Sequence, residues 1–361
     1  MNIKNLEKKI IELDEPHYRL DQILKAIFQE NIFYFDNINN IPKRLKEELK
    51  DELIINFKII KIIKTKDLNT YKILIELNDK NIIESVLIKN KNGYTACISS
   101  QCGCPLNCAF CATGQNGFTR NLTSEEITDQ ILFWKKYILE NNIQGKLTNI
   151  VYMGMGEPFL NYKNIVESIE NLTNKNIFNS PDRSISISTS FANPEKMKNF
   201  FSKFPQINLA ISLHFANNEK RSKYMPINNK YNLDDIKDFI NYYLEKNNKK
   251  IFLEYIMIKN INDSKNDADN LIHFVMVGSG TDFHKIIEYK KQTSDDYITV
   301  LNSLNKVEYD DLLDACDVGL IFLDYRFTIP NFPSRLLDYM NHEIPVLAAT
   351  DTNTDVGQVI L

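Results

Sequence analysis

From Tyr94 onward the chain alternates short apolar runs with helical stretches, and this alternation limits the possible folds more than any other feature. The runs are Tyr94–Ser99, Asn149–Met153, Ser184–Ser188, Asn208–Leu213 and Lys250–Ile258. The clearest helix between them starts at the capping box Thr123-x-x-Glu126 and runs to about Leu139. Strands separated by helices pair in parallel through right-handed crossovers. In such sheets, residues at the C-terminal ends of the strands line the site. Here those ends read Gly154-Met155-Gly156-Glu157-Pro158, Ser188-Thr189-Ser190 and Ser212-Leu213-His214. Each offers small or polar groups to a ligand, which periodicity alone would not produce.

Upstream, residues 1–60 read as small helices. Tyr18, Leu20, Ile23, Leu24, Ile27 and Phe28 form one helical apolar stripe, and Pro42 opens a second with Leu45, Leu49 and Leu53 at spacing four. Lys43, Arg44 and Lys46 on that second helix suit RNA contact and a plain solvated face equally well. Residues 61–93 read as a strand-rich connector, ending in Ile82–Ile88. The 361 residues are 43% hydrophobic and 25% charged, a globular composition. No apolar run is long enough to cross a membrane, and the N-terminus lacks the apolar core of a signal peptide. The net charge of −4 is uneven: residues 273–361 carry 6 Lys+Arg against 14 Asp+Glu, leaving 37 against 33 upstream. The first part suits a phosphate-rich partner, and the last part repels one.

Five of the six cysteines fall between Cys97 and Cys111, which is no disulfide framework and points to the reducing cytoplasm. Cys104, Cys108 and Cys111 are spaced C-x3-C-x2-C directly after the first run. Three thiolates so spaced can hold three irons of a 4Fe-4S cluster and leave the fourth iron open to a small molecule. A closed zinc site wants four ligands, often as two C-x2-C pairs, and only one such pair is present. This spacing resembles the signature of the radical S-adenosylmethionine (SAM) enzymes. Glu157 could then take the ammonium of SAM. His214, read alone, is more often a structural histidine, and Cys102 reads as a packing residue.

Residues 1 to about 272 resemble the RlmN family of radical SAM RNA methyltransferases. The matching stretches are Cys97–Gln101, Gly103-Cys104, Cys108–Gly114, Gly117–Leu122, Met153–Pro158, Ser188–Ser190 and Leu209–His214. Met225–Asn228, Glu254-Tyr255 and Asn262–Ser264 continue the match, and Pro16, Tyr18, Arg19, Gln22 and Ile41-Pro42 fit the family's helical RNA-binding accessory domain. The resemblance implies a partial (β/α)6-type radical SAM barrel over residues 94–272. It implies methylation of carbon 2 of an adenine in 23S rRNA and in tRNA, with an electron donor such as flavodoxin and a monomeric chain. Cys104, Cys108 and Cys111 would hold the 4Fe-4S cluster. Gly156, Glu157, Ser188, Ser212, Leu213 and His214 would line the SAM pocket. Glu84 falls at the family's proton acceptor and Cys97 at one of its two catalytic cysteines. In the implied reaction the other cysteine carries the methyl group to the adenine through a radical step. Cys97 then releases the product by forming a disulfide.

Residues 273–361 depart from that pattern, and the Ala-Cys-Gly expected to supply the methyl-accepting cysteine is not present. This stretch resembles the C-terminal, Rossmann-like half of a GT-B family-4 glycosyltransferase, through Phe274–Gly280, Asp314–Leu320, Pro330–Arg335, Leu337–Met340 and Ile344–Ala348. The chain therefore reads as a chimera with an incomplete methyltransferase, and Cys316 is only a faint stand-in for the missing cysteine. The run Phe274–Val277 would suit the place of a sixth barrel strand. A nucleotide-sugar glycosyltransferase is the alternative reading, and a non-catalytic iron–sulfur RNA-binding protein is a third.

Overall fold

Parallel strands must be joined by crossovers, and the helices of the alternation supply them. The computed structural model describes residues 2–247, 249–269, 273–279, 283–293, 298–316, 318–322, 335–342, 344 and 346–349. The chain divides into two units, residues 1–268 and 269–361.

The first unit opens with helices α1 (Ile3–Glu12), α2 (Tyr18–Phe28) and α3 (Lys43–Leu49), followed by strands β1 (Lys58–Lys64), β2 (Thr70–Glu76), β3 (Ile82–Asn90) and β4 (Gly93–Cys97). Then come β5 (Gln101–Gly103), α4 (Ala112–Gln115), β6 (Phe118–Asn121), α5 (Ser124–Glu140), β7 (Leu147–Tyr152), α6 (Tyr162–Thr173), β8 (Ile185–Thr189) and α7 (Pro194–Lys203). The unit closes with β9 (Asn208–Ser212), α8 (Asn218–Tyr224), α9 (Leu233–Lys246), β10 (Ile251–Glu254) and α10 (Lys265–Asp269).

Eight strands form one sheet in the order β1-β2-β3-β4-β7-β8-β9-β10. The half from β4 to β10 is parallel throughout, and the half from β1 to β4 is antiparallel. Strands β1 to β3, within the stretch read as a strand-rich connector, are thus part of the main sheet. β4 joins the two halves: Cys97 lies opposite Val86 of β3 on one side and Val151 of β7 on the other.

One face of the sheet is sealed by apolar side chains. Ile73, Ile83, Leu87, Ala96, Ile150, Ile187 and Ile211 are fully or almost fully buried there with Trp134 of α5. The indole N–H of Trp134 donates to Ser85 Oγ at 2.9 Å, so this large residue is buried with its polar atom satisfied. The opposite face carries Cys97, Ser188 and Ser212, because side chains alternate along a strand.

α5 starts where the capping box requires. The Thr123 hydroxyl accepts from Glu126 N–H and the Glu126 carboxylate accepts from Thr123 N–H. α3 stops at Leu49, short of Leu53, which is exposed. Two of its three cations serve the helical module itself. Arg44 donates to Leu13 O and Glu15, and Lys46 donates to Asp36 O.

The second unit contains β11 (Phe274–Val277), α11 (Phe283–Thr293), β12 (Ile298–Leu301), α12 (Lys306–Asp314), β13 (Gly319–Phe322), α13 (Arg335–Asn341) and β14 (Val346–Ala349). β11 pairs in parallel with β12, and β13 in parallel with β14. The run Phe274–Val277, suited by its apolar character to a sixth barrel strand, has β12 as its hydrogen-bonded neighbour. The join near Ile272, the stretch Pro330–Ser334, and Gly280, Asp317 and Pro345 lie outside the described residues.

Candidate active site

The cysteine loop leaves β4 and is fixed from several directions. Gln130 of α5, fully buried, accepts from Ser99 N–H at 2.8 Å and donates to Ser99 O at 3.0 Å. Gly103 sits at φ +80°, and a Cβ there would lie 1.9 Å from Gly117 O, so only glycine lets the two backbones approach. Cys104 N–H donates to Gly117 O, and Ala109 N–H donates to Tyr224 O, both at 2.9 Å. These bonds hold Cys104, Cys108 and Cys111 in one apolar lining with Leu106, Phe215 and Met225. No three His, Cys, Asp or Glu side chains among the described residues converge tightly enough for a single metal ion. The three thiols nevertheless act on one another electrostatically. Three thiols in one apolar lining fit a cluster, in which each cysteine binds its own iron. Burial pushes the Cys104 thiol up to about 12 and Cys108 up to about 11. They remain protonated until a metal cation displaces the proton. No disulfide forms among the described residues. Cys102 is buried in the main core, as a packing cysteine should be.

Gly156 turns the chain at φ +102°, where an added Cβ would lie 2.5 Å from Gln101 Cβ. Gln101 accepts from Glu157 N–H at 2.8 Å, and the Glu157 carboxylate is buried at the end of the turn. It accepts from the Thr189 hydroxyl at 2.7 Å, Ser190 N–H at 2.8 Å and Phe159 N–H at 3.2 Å. Burial raises it to about 7, although each of these bonds pulls the other way. A carboxylate so placed gains from an incoming ammonium, which would offset its desolvation.

Across the strand ends, Ser188 donates to Glu254 Oε2 at 2.6 Å and Ser212 donates to the same oxygen at 3.0 Å. Register sets Ser212 of β9 beside Glu254 of β10. The backbone N–H groups of Leu213 and His214 both donate to Glu254 O at 3.0 Å. His214 has φ +55°, rare for a residue with a side chain and common at functional sites. Its Nδ1 accepts from Ile256 N–H at 3.2 Å, its ring meets Phe110 edge-on, and burial lowers its pKa. The histidine is thus both structurally satisfied and set against the cysteine loop. Glu254 enters the sequence reading only within the matching pair Glu254-Tyr255 and without a role, since a lone carboxylate at a strand end has no pattern around it. Its position at the C-terminal end of β10 was the available signal.

Cys97 ends β4 on the same face, and burial lifts its thiol to about 11. Glu84 lies on β3 two residues before Val86, the register partner of Cys97. It pairs with Lys72 at 2.6 Å. The strands therefore bring Glu84 to the face of Cys97 as a diagonal neighbour, with Lys72 as its ionic partner.

Comparison with known proteins agrees with this geometry. The model of the radical SAM superfamily matches residues 98–275, and that of the ribosomal RNA large subunit methyltransferase N-terminal domain matches residues 1–55. A crystal structure of a radical SAM methyltransferase from Sphaerobacter thermophilus aligns with a TM-score of 0.69 at 28% identity, covering 86% of this chain and 96% of that one. Fold and site together define a radical SAM methyltransferase. The chain is 40% identical over 270 residues to the probable dual-specificity RNA methyltransferase RlmN of Clostridium botulinum, covering 74% of this chain and 77% of the relative. It is 41% identical over 272 residues to that of Thermotoga neapolitana, covering 75% and 78%. The chain belongs to the RlmN family of dual-specificity radical SAM RNA methyltransferases, whose chemistry uses a 4Fe-4S cluster and SAM. The glycosyltransferase alternative is not supported by these matches.

Proposed function

We propose that this chain methylates carbon 2 of an adenine in 23S rRNA and in tRNA, in the cytoplasm, as a monomer fed by a flavodoxin-like electron donor. The observation that carries the reading is the convergence of three loop cysteines, Cys97, Glu157 and the Ser188–Ser212–Glu254 group at the C-terminal ends of one parallel sheet. The curated relatives are named as acting on RNA with dual specificity. Cys104, Cys108 and Cys111 would hold the cluster, which supplies the electron that cleaves SAM. Glu157 would take the SAM ammonium in its buried turn. Gly156 would give the ligand backbone access, and Ser188, Ser212, Leu213 and His214 would line the rest of the pocket. Cys97, a neutral thiol in its buried setting, needs a base before it can attack as a thiolate, and Glu84 on the same face is the candidate acceptor. Residues 1–60 would dock RNA, residues 61–93 would link them to the barrel of residues 94–272, and residues 273–361 would be a glycosyltransferase-like fragment. The two parallel β-α-β passages of that last stretch support its Rossmann-like character.

The test is anaerobic reconstitution with iron and sulfide, followed by incubation with SAM, a reductant and unmodified 23S rRNA and tRNA. Formation of 2-methyladenosine supports the full reading. SAM cleavage without methylated adenine supports the site and marks the chain as lacking the second cysteine. A chain that neither holds iron nor cleaves SAM overturns the reading.

A further inference from the structure

Arg221 of α8 is completely buried. Its hydrogen bonds all run to neutral oxygens: Leu213 O at 3.1 Å, Asn228 Oδ1 at 2.9 Å, Ser190 O at 3.2 Å and Ser212 O at 3.3 Å. No carboxylate forms an ion pair with it among the described residues. A guanidinium keeps its proton in proteins, and a buried charge without a partner is costly. The nearby carboxylates are otherwise engaged: Glu157 by Thr189 and Ser190, and Glu254 by Ser188 and Ser212. Arg221 lies within electrostatic reach of Cys108 in the cysteine loop and of His214 at the strand end. The end of α8 is bonded to that loop through Ala109 N–H and Tyr224 O, and Tyr224 packs with the cysteines. A buried positive charge is therefore fixed beside a site built to carry negative charge.

We propose that Arg221 is the counter-charge of the iron–sulfur cluster, a positioning residue that favours the cluster's reduced state. The inference rests on the cluster reading above. One-electron reduction by a low-potential flavin or iron–sulfur carrier adds a negative charge to a centre already carrying three thiolates. A fixed cation beside that centre stabilises the added electron, and local charge is one of the factors that set cluster potentials. The same guanidinium holds the carbonyls of Ser190, Ser212 and Leu213, so cluster charge and SAM-pocket backbone share one anchor.

The test uses the full chain, reconstituted without SAM or RNA, and reads iron and sulfide content together with the midpoint potential by spin-resonance-monitored titration. Arg221→Gln removes the charge. Arg221→Lys keeps the charge and loses the fork of hydrogen bonds. Asn228→Asp leaves Arg221 in place and gives it a carboxylate. Arg221→Gln and Asn228→Asp should make reduction about tenfold less favourable, ~59 mV for a one-electron couple, while Arg221→Lys stays near wild type. Iron-loaded Arg221→Gln and Asn228→Asp proteins with the wild-type potential overturn the proposal. Should Arg221→Gln hold no iron, Arg221→Lys decides. Full iron in the lysine variant supports a charge requirement, and loss of iron in both shows a purely structural role. Absence of iron from the wild-type chain overturns the cluster reading itself.

Discussion

Glu254 accepts a 2.6 Å hydrogen bond from Ser188, reaching across the whole width of β9 to do so. Three adjacent parallel strands thus present one carboxylate and two hydroxyls at a single point. If this point is part of the SAM pocket, Glu254→Ala should weaken SAM binding by about tenfold, the scale of one lost hydrogen bond to a charged group. Calorimetry on the iron-loaded chain measures it, and Ser188→Ala should show a smaller loss. Unchanged affinity in Glu254→Ala would remove the residue from the pocket.

The buried setting of Glu157 predicts a pH dependence. Its folded pKa, about 7, lies above its ordinary value of 4.5, so folding favours the protonated form. That contribution to stability is fully present below about pH 4.5 and is lost as pH rises through about 7. The melting temperature of the wild type relative to Glu157→Gln should therefore fall between pH 5 and 8, roughly spanning those two values. SAM affinity should run the other way at first, rising as the carboxylate ionises near pH 7. It should fall again once the ligand's amine loses its proton near pH 8, roughly the ordinary α-amino range. A flat binding profile would separate Glu157 from the ammonium.

The cysteines should divide cleanly by substitution. Replacing Cys104, Cys108 or Cys111 by Ala should abolish iron uptake on reconstitution, measured as iron and sulfide per chain. Cys102→Ala should leave iron content intact and cost about 1 kcal/mol as a small core cavity, read from urea unfolding. Iron loss in Cys102→Ala would instead make it part of the centre.

At Gly156 the backbone and a near neighbour both exclude a side chain. Gly156→Ala should destabilise the chain by about 1–3 kcal/mol, since φ +102° is strained for any other residue. It should also displace Gln101 and weaken the 2.8 Å bond that positions Glu157. Urea unfolding and SAM calorimetry on the same protein read both effects, and wild-type values in both would show that the turn can relax.

The parallel strands were legible because local signals agreed: an apolar run, then a polar turn, then a helical period. Asn208–Leu213 and Ser184–Ser188 match β9 and β8 to within a residue. The leucine spacing from Leu45 to Leu53 misled, because spacing alone does not hold a helix beyond its last packed turn at Leu49. The place of β1 to β3 was not legible, since the pairing of β3 with β4 is a choice between sheet partners that neither strand's pattern reveals. Arg221 was missed, and Glu254 was matched without a role, for a related reason. A single charged residue shows its role only when the backbone brings its partners to it, here the carbonyls of Ser190 and Ser212 and the hydroxyl of Ser188.

The strand that ends in Cys97 is shared property. It is the last antiparallel strand of one half and the first parallel strand of the other, so its register is pinned from both sides. A slip of one residue would turn Cys97 from the site into the apolar core. The helical and antiparallel N-terminal part therefore cannot be treated as a detachable module at residue 93. Cutting there would strip β4 of its β3 partner and expose a raw sheet edge at the thiol. The N-terminal helices share that core as well, with Phe28 of α2 against Phe178 and Lys135 of α5 donating to Phe28 O, so helices, antiparallel strands and the strand of Cys97 form one packed body.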